Sequence, residues 1–318
     1  MSLENKGFLR RLLANPETGI LLALLGLSLF LFVMEPKFLS GTNLYLVSRQ
    51  IAFTAIVALG VFFVILSSGI DLSVGSVAGL SGVACGMAMA SGVAVPASVA
   101  IGLGAGALAG LVNGLLVARL GITPFIVTLG MLSMARGLVM VVTHGEAVRE
   151  IPESFIAFGN SDLLGVPLVV WVLVAMALAA QVLLKYTVFG LRVMAIGGNE
   201  EASLLSGVPV KRVKIWTYTL SGACAAVSGV LFVARFRSAQ SQSGFMLELD
   251  AIAACVIGGA SLMGGQGTVL GVLIGATIMG VLHNGLVLLQ VSAYWQELII
   301  GAVIVLAAVV DRLRHRKR

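Results

Sequence analysis

"LSVGSVAGLSGVACGMAMASGVAVPASVAIGLGAGALAGLVNGLLVA", residues 72 to 118, is the longest stretch of this sequence without a charged side chain. One transmembrane helix needs about 20 predominantly apolar residues, so the stretch is long enough for two. It is interrupted at residues 91–96, where Gly92 and Pro96 favour a turn. The pattern therefore predicts two membrane helices joined by a short connection.

The rest of the chain has the same character. Hydrophobic residues make up 59% of the sequence and charged residues only 11%, and the mean hydropathy is +1.07. Soluble domains are less apolar and about 25% charged. Long apolar runs without period-two alternation favour helices over a barrel, because the backbone must satisfy its own hydrogen bonds in lipid. We therefore expect an all-α polytopic membrane protein with one transmembrane domain over residues 1–318.

Charges and turn residues together predict about ten transmembrane helices. Residues 251–296 also lack Asp, Glu, Lys and Arg, and this stretch is interrupted by a glycine cluster between residues 258 and 267. The predicted spans lie near residues 18–34, 48–68, 72–91, 95–117, 123–143, 163–184, 213–234, 249–263, 268–289 and 294–310. The eighth is short enough to be re-entrant, so counts of nine or eight are the alternatives.

The basic residues indicate the orientation. With ten spans and the amino terminus inside, fourteen of the 20 Lys and Arg residues lie on the cytoplasmic side. These are Lys6, Arg10, Arg11, Arg119, Lys185, Arg192, Lys211, Arg212, Lys214, Arg312, Arg314, Arg316, Lys317 and Arg318. The positive-inside rule then predicts that both termini are cytoplasmic. The excess of Lys and Arg on the cytoplasmic side accounts for the net charge of +6, so we expect no nucleic-acid partner.

No pattern of residues indicates an enzyme. Cys85, Cys224 and Cys255 fall in different spans without metal-ligand spacing, which is typical of small packing residues. The sequence contains no GxxxxGK[ST] motif for ATP and no Ser/His/Asp or paired-carboxylate arrangement. We expect no metal and no cofactor bound by this chain.

A weak internal repeat is present. "LVNGLLVARLG" at 111–121 aligns with "LHNGLVLLQVS" at 282–292, and Asp71 and Asp250 each precede or open a glycine-rich span. Five predicted spans separate the two copies, so the fold could consist of two inverted five-helix repeats, as in many transporters. The alternative is coincidence in a chain rich in Gly, Ala and Leu.

Glycines recur at helical spacing in two spans. Gly102, Gly106, Gly110 and Gly114 are four residues apart, and Gly271 and Gly275 repeat the interval. Small residues at this spacing let helix backbones approach closely in lipid. The pattern predicts a tight contact, either within the chain or between two copies.

Polar residues inside the spans are candidates for a structural role or for a transport pathway. The set is Asp71, Ser73, Asn113, Arg136, Asp250 and Asn284. A charge at mid-membrane costs about 2.5 to 3.5 kcal/mol, so each charged member needs a partner, a cavity or an interface position. For the two acids the alternatives are helix cap and pathway. For Arg136 they are an interhelical partner and pathway, and for the asparagines interhelical hydrogen bonding and ligand contact.

"AIGGNEEASLLSGVPVKRVKIW", residues 195–216, is unusually polar for this chain and lies in the predicted cytoplasmic loop 186–212. Asn199 can cap a short helix whose first turn holds Glu200 and Glu201, and Gly207 followed by Pro209 can end it. The pattern predicts a helix over 199–207. It is either a surface helix at the lipid headgroups or a rigid docking element for a soluble partner.

Four stretches carry a resemblance to a known family. They are "SSGIDLSVGSVAGLSG" from residue 67, "GGNEEASLLSG" from 197, "LELDAIAACVIGGASLMGGQG" from 247 and "VLHNGLVLLQVS" from 281. The chain resembles, over nearly its whole length, the permease subunits of bacterial ribose-type sugar ATP-binding-cassette importers, the second carbohydrate-uptake family. The outer loop 144–165 is the least familiar part.

The resemblance implies a set of partners. The 199–207 helix would be the coupling helix that docks on a separate ATPase, which uses ATP and Mg. A periplasmic sugar-binding protein would deliver substrate to the outer face, at 144–162 and 235–248, and two permease copies in the bacterial inner membrane would form the pathway. The coupling residues so implied are Gly197, Gly198, Asn199, Glu200, Glu201, Ala202, Leu204, Leu205, Ser206 and Gly207.

The expected function is import of a ribose-like monosaccharide by alternating access. The sequence does not identify the sugar. The alternative is an ion-coupled secondary transporter built from inverted repeats, for which Asp71 or Asp250 would be essential and the 199–207 segment dispensable.

Overall fold

A computed structural model describes residues 16–315 of the chain. Six of the basic residues on which the orientation rests lie outside the described range. These are Lys6, Arg10, Arg11, Arg316, Lys317 and Arg318.

Helices account for nearly all of the regular structure. Their bounds are α1 Pro16–Met34, α2 Gly41–Leu66, α3 Val74–Ala90, α4 Val95–Leu120, α5 Pro124–Thr143, α6 Glu153–Gly159, α7 Leu168–Tyr186, α8 Val188–Gly198, α9 Glu200–Leu205, α10 Val210–Phe236, α11 Leu247–Ile257, α12 Val269–Leu288 and α13 Ala293–His315. A 3₁₀ helix, Pro36–Leu39, joins α1 to α2, and a hairpin of two short strands, β1 Asp162–Leu163 and β2 Val166–Pro167, precedes α7. The all-α polytopic fold is confirmed.

Seven helices are long and apolar enough to cross a membrane: α1, α2, α4, α5, α7, α10 and α12. Further apolar helical segments are shorter than these seven, among them α3, with 17 residues, and the first 15 residues of α13. The 11-residue α11 extends about 16 Å at 1.5 Å per residue, roughly half of the 30 Å hydrocarbon core. The prediction of a full eighth span over 249–263 is therefore wrong, and its re-entrant alternative fits the observed length.

Two predicted span starts are also wrong. The second span begins at Gly41, seven residues earlier than predicted, because Ser40 caps it by accepting a hydrogen bond from the Asn43 backbone N–H (3.3 Å). The sixth begins at Leu168 because the hairpin occupies residues 162–167. Leu164 and Gly165 form its turn, both with positive φ, which favours a tight two-residue connection.

α2 lies at the centre of the bundle. Every residue from Ala52 to Leu66 is buried, and these side chains form much of the largest apolar cluster, with residues of α3, α10, α11 and α12. α2 is apolar on all sides, as is typical of a helix surrounded by protein. By contrast, α1 and α7 leave most of their apolar side chains at the surface of the bundle.

The glycines of α4 pack directly against α10. A side chain at Gly106 would meet Ala226 and the Gly222 carbonyl, and one at Gly114 would lie 2.8 Å from the Ile215 backbone. Gly271 and Gly275 of α12 similarly pack against the backbone of α11 and the residue that follows it. The predicted tight contact is confirmed as a contact within the chain.

The two halves have corresponding short helices. α3 follows the non-helical segment 67–73 and packs against α4, and α11 follows the non-helical segment 237–246 and packs against α12. α4 and α12 carry the aligned motifs at 111–121 and 282–292. This correspondence supports the inverted repeat, which stays a prediction.

Candidate functional site

The connection between α2 and α3 enters the middle of the bundle. The Tyr218 hydroxyl donates to the Ile70 carbonyl (3.3 Å), and the Ser221 hydroxyl donates to Asp71 Oδ2 (2.8 Å). Ser221 lies near the middle of the 27-residue α10. α3 therefore begins deep in the bundle instead of at a membrane surface.

Asp71 is the centre of a buried network of hydrogen bonds. Its Oδ1 accepts from the Ser73 backbone N–H (3.0 Å) and hydroxyl (2.6 Å), and the Asn113 amide donates to the Ser73 hydroxyl oxygen (2.9 Å). Asp71, Ser73 and Asn113 are at most 1% exposed. Ser73, not Asp71, occupies the N-cap position of α3, and it makes no side-chain capping bond. Asp71 is therefore not the N-cap residue of α3, although it accepts a hydrogen bond from the backbone N–H of the residue that is, and the network around it joins α3, α4 and α10.

Asp250 also fails to cap its helix. It lies in the first turn of α11, whose N-cap residue is Met246, and its Oδ1 lies 3.2 Å from His283 Nε2 on α12. Next to this pair, Asn284 and Asn43 exchange reciprocal amide hydrogen bonds of 2.8 and 3.0 Å between α12 and α2. The interhelical role predicted for Asn284 is therefore observed.

Arg136 holds a segment of chain against the bundle. Its side chain lies on α5, and Nη1 donates to the carbonyls of Ser241 and Ser243 in the segment before α11. Of the two alternatives for Arg136, the structure shows a protein partner, and that partner is a connection instead of another helix.

α9 lies within the predicted 199–207 segment. Asn199 Oδ1 accepts from the Ala202 backbone N–H (2.9 Å), and the helix ends at Leu205 before Gly207, whose φ is +78°. The side chains of Leu204 and Leu205 are 62% and 84% exposed. A short, capped helix therefore presents two leucines outward.

An ion pair ties α9 to α10. Glu200 Oε2 lies 2.6 Å from Lys214 Nζ, and Ser203 is the one buried residue of α9. Ser203 also donates from its hydroxyl to the Asn199 carbonyl (2.8 Å). These contacts fix the position of α9 relative to a long helix of the bundle.

Gly197 and Gly198 belong to the preceding helix α8, and their environments differ. A side chain at Gly197 would overlap the Leu66 carbonyl and the Gly265 backbone, whereas nothing lies within 4 Å of the corresponding point on Gly198. Gly197 is thus buried within the chain, where it cannot contact a partner. α8 and this contact were missed in the sequence, although the doubled glycines at 197–198 and 264–265 are the signal for a close backbone approach.

Ser68 completes this contact, here called the glycine junction and formed by residues 66–68, 197 and 263–265. The Ser68 hydroxyl lies within hydrogen-bond distance of the Met263 (2.8 Å) and Gly197 (3.3 Å) carbonyls, and the Gly265 backbone N–H donates to the Leu66 carbonyl (2.9 Å). The end of α8, which leads into α9, therefore touches the connections that follow both α2 and α11.

A polar cluster at the other end of α2 was also missed. Arg49 is 7% exposed and donates to Asn160 Oδ1 (2.9 Å), while the Asn160 amide donates to the Ala234 carbonyl (2.8 Å). The Tyr45 hydroxyl contacts Asp162 (2.5 Å). The cluster attaches α6 and the hairpin to α2 and α10.

Comparison with known proteins identifies the family. Residues 43–308 match the family described as "Branched-chain amino acid transport system / permease component". The chain belongs to this permease family. It is 44% identical over 303 residues to the ribose import permease protein RbsC of Escherichia coli K12, covering 94% of each chain. No solved structure matches the permease.

Two further relatives extend this result. The ribose import permease protein RbsC of Bacillus subtilis is 41% identical, covering 93% of this chain and 92% of its own. The L-arabinose ABC transporter permease protein AraH of Azospirillum brasilense is 36% identical, covering 95% and 89%. The chain is therefore a multi-pass membrane permease similar to permeases of ATP-binding-cassette sugar importers, which supports this function over the ion-coupled alternative.

Proposed function

We propose that the protein imports a ribose-like monosaccharide from the periplasm to the cytoplasm as the permease subunit of an ATP-driven importer. The observation that carries the proposal is the 44% identity to a ribose import permease over 94% of both chains. A separate ATPase binds and hydrolyses ATP with Mg, since the sequence of this chain has no P-loop. A periplasmic sugar-binding protein supplies the substrate.

α9 is the proposed docking element for the ATPase. Leu204 and Leu205 are exposed on a helix whose only buried side chain is Ser203, so they are available to a partner. The asparagine cap and the pair of Glu200 with Lys214 hold the helix in place. With both termini in the cytoplasm, as the positive-inside rule proposes, this helix faces the cytoplasm.

The glycine junction is the proposed route by which docking acts on the pathway. Gly197 packs against the Leu66 carbonyl and against Gly265, without intervening side chains. Movement of α8 would therefore displace the connections after α2 and after α11 together, because the packed backbones cannot compress. In alternating access, ATP-driven closure of the ATPase moves α9 and opens the bundle outward, and hydrolysis returns it.

The sugar-binding protein is proposed to dock at the opposite face. Glu150 and Glu153 are exposed beside Arg149, and Arg237 lies near Glu153, with nitrogen and oxygen 3.7 Å apart. Arg49 fixes α6 to the bundle through Asn160, so the charged surface is held in one orientation. Exposed charges of both signs suit a transient, electrostatically guided contact.

A second copy of the permease is proposed to cover α5. A groove of about 470 Å³ between α3, α4 and α5 is lined by apolar side chains, including Met87, Leu108 and Leu138. It offers no group for a sugar hydroxyl, so it suits a packing role. A homodimer would bury it and place two copies of α5 together.

The ATPase contact can be tested by a pair of double variants. Glu200→Lys with Leu204→Asp changes the exposed surface of α9 and should abolish co-purification of the cognate ATPase. The matched control, Glu153→Lys with Leu164→Asp, makes the same changes on α6 and the hairpin and should retain the ATPase. Size-exclusion profiles show whether both variants are folded. Retention of the ATPase by the α9 variant would contradict the docking assignment.

A further inference from the structure

We propose that residues 238–244, "SAQSQSG", line the sugar pathway and hydrogen-bond the sugar as it passes. This segment, here called the polar strip, connects α10 to the short helix α11. The inference rests on the proposed function, because it names the part of the permease that the sugar touches.

The polar strip descends into the membrane along α3. Near the outer end of α3, a side chain at Gly86 would lie 2.8 Å from Ala239 Cβ; at the start of α3, Gly75 packs against the Gly244 carbonyl. Gly75 and Gly86 are about 16 Å apart along the helix axis. Since α3 begins beside the middle of α10, the polar strip runs from the outer end of the bundle to about its middle.

Backbone contacts hold the polar strip and leave the side chains of Ser241, Gln242 and Ser243 available, whereas the Gln240 amide donates to the Ser238 hydroxyl (2.9 Å). Arg136, about 10 Å inside the outer end of α5, donates to the carbonyls of Ser241 and Ser243. Turn bonds join the Ser243 N–H to the Gln240 carbonyl and the Phe245 N–H to the Gln242 carbonyl, both 3.1 Å. Among the described residues, the side chains of Ser241, Gln242 and Ser243 make no hydrogen bond.

The position of these side chains indicates that they face water. Gln242 is exposed, and Ser241 and Ser243 are half-buried, at a depth where the outer surface of α5 presents Leu138 and Val141. Moving an amide or hydroxyl from water to hydrocarbon without a partner costs about 4–8 kcal/mol. At that cost the side chains of Ser241, Gln242 and Ser243 cannot all face lipid. This part of the polar strip therefore borders an aqueous passage.

Glu248 adds an acceptor at the inner end of the strip. Its Oε2 is buried, lies against Gly75 and has no hydrogen-bond partner among the described residues. A carboxylate oxygen accepts hydrogen bonds from hydroxyl groups, while glutamine and serine both donate and accept. This set of groups suits a neutral polyhydroxyl substrate.

Transport measurements test the sugar contacts. Gln242→Leu and Glu248→Gln are assayed in the complete complex of permease, ATPase and binding protein, reconstituted in liposomes with D-ribose. Each should lower ribose uptake at least tenfold while the ATPase remains bound. Gln181→Leu, the same change on α7 in a mainly apolar groove, is the matched control and should transport as the wild type does. Uptake within twofold of wild type for both Gln242→Leu and Glu248→Gln would overturn the inference.

Thiol labelling tests whether the strip faces water, independently of transport. Cys85, Cys224 and Cys255 are buried, so they give little background. Gln242→Cys should react with a charged, membrane-impermeant methanethiosulfonate reagent, and Leu138→Cys on α5 should not. An unreactive Gln242→Cys would overturn the inference. Absence of ribose uptake by the wild-type complex would instead contradict the proposed function, and the labelling would still decide whether the strip borders water.

Discussion

A buried carboxylate at Asp71 is stabilised by hydroxyl and backbone donors. Three hydrogen bonds of 2.6 to 3.0 Å, from the Ser73 backbone and hydroxyl and from Ser221, satisfy it. Because these bonds join the start of α3 to α10, the residue acts as a structural link, and transport need not use its charge. The ion-coupled alternative makes the opposite prediction for this residue.

Asp71→Ala should destabilise the protein without creating an ion dependence. Leaving a buried hydrogen-bonding group unsatisfied costs about 1–3 kcal/mol, and the substitution removes the acceptor for both serine hydroxyls. We expect the thermal midpoint of the purified permease to fall by several degrees, as measured by a thermal-shift assay. Ser76→Ala is the matched control, since its hydroxyl makes only a local bond to Ser73 O. An unchanged midpoint for Asp71→Ala would contradict the structural role.

Adjacent glycines at the end of α8 provide a sharp comparison. Gly197→Ala would place a methyl group against the Leu66 carbonyl and the Gly265 backbone, whereas Gly198→Ala has open space. The first should disturb the glycine junction and lower sugar-stimulated ATPase activity of the complex severalfold, and the second should leave it near the wild-type level. Equal activity of the two variants would show that the junction does not transmit the coupling.

At the scale of elements, the sequence predicted features that depend on neighbouring residues better than contacts between distant parts of the chain. The bounds of α9 follow from Asn199 and Gly207, which act within a few residues. The end of α11 at Ile257 coincides with the glycine cluster that begins at Gly258, so the break was visible in the sequence, although the predicted span ran on to residue 263. The hairpin before α7 was not predicted, because Leu163, Leu164 and Val166 are apolar and were counted as part of the following span. The partners of Asp71 and Arg136 lie up to 150 residues away in the chain, and no local pattern shows them.

Packing of α4 on α10 should depend on individual glycines. Gly110 packs against the Tyr218 carbonyl and Gly222, while Gly104 has no neighbour within 4 Å. Gly110→Ala should therefore separate the two helices and lower the yield of folded protein, and Gly104→Ala should have little effect, because alanine is a good helix former. Fluorescence-detected size-exclusion chromatography measures both. Equal yields would contradict the tight contact.

At the scale of the whole molecule, the two ends of the bundle have different partners in the proposed cycle. In that proposal the exposed leucines of α9 contact the ATPase, and α6 with the hairpin contacts the binding protein. The polar strip lies along the short helix α3 and leads into the short helix α11. The glycine junction includes the connection that precedes α3 and the connection that follows α11. Movement of α9 would therefore reach the proposed passage without unfolding any long helix.

Uptake of radiolabelled sugars tests this account most directly. A panel of pentoses and hexoses is offered to membrane vesicles that contain the permease with and without its ATPase and binding protein. The account predicts uptake of a ribose-like sugar only when all components and ATP are present. Uptake by the permease alone, driven by a proton or sodium gradient, would contradict it.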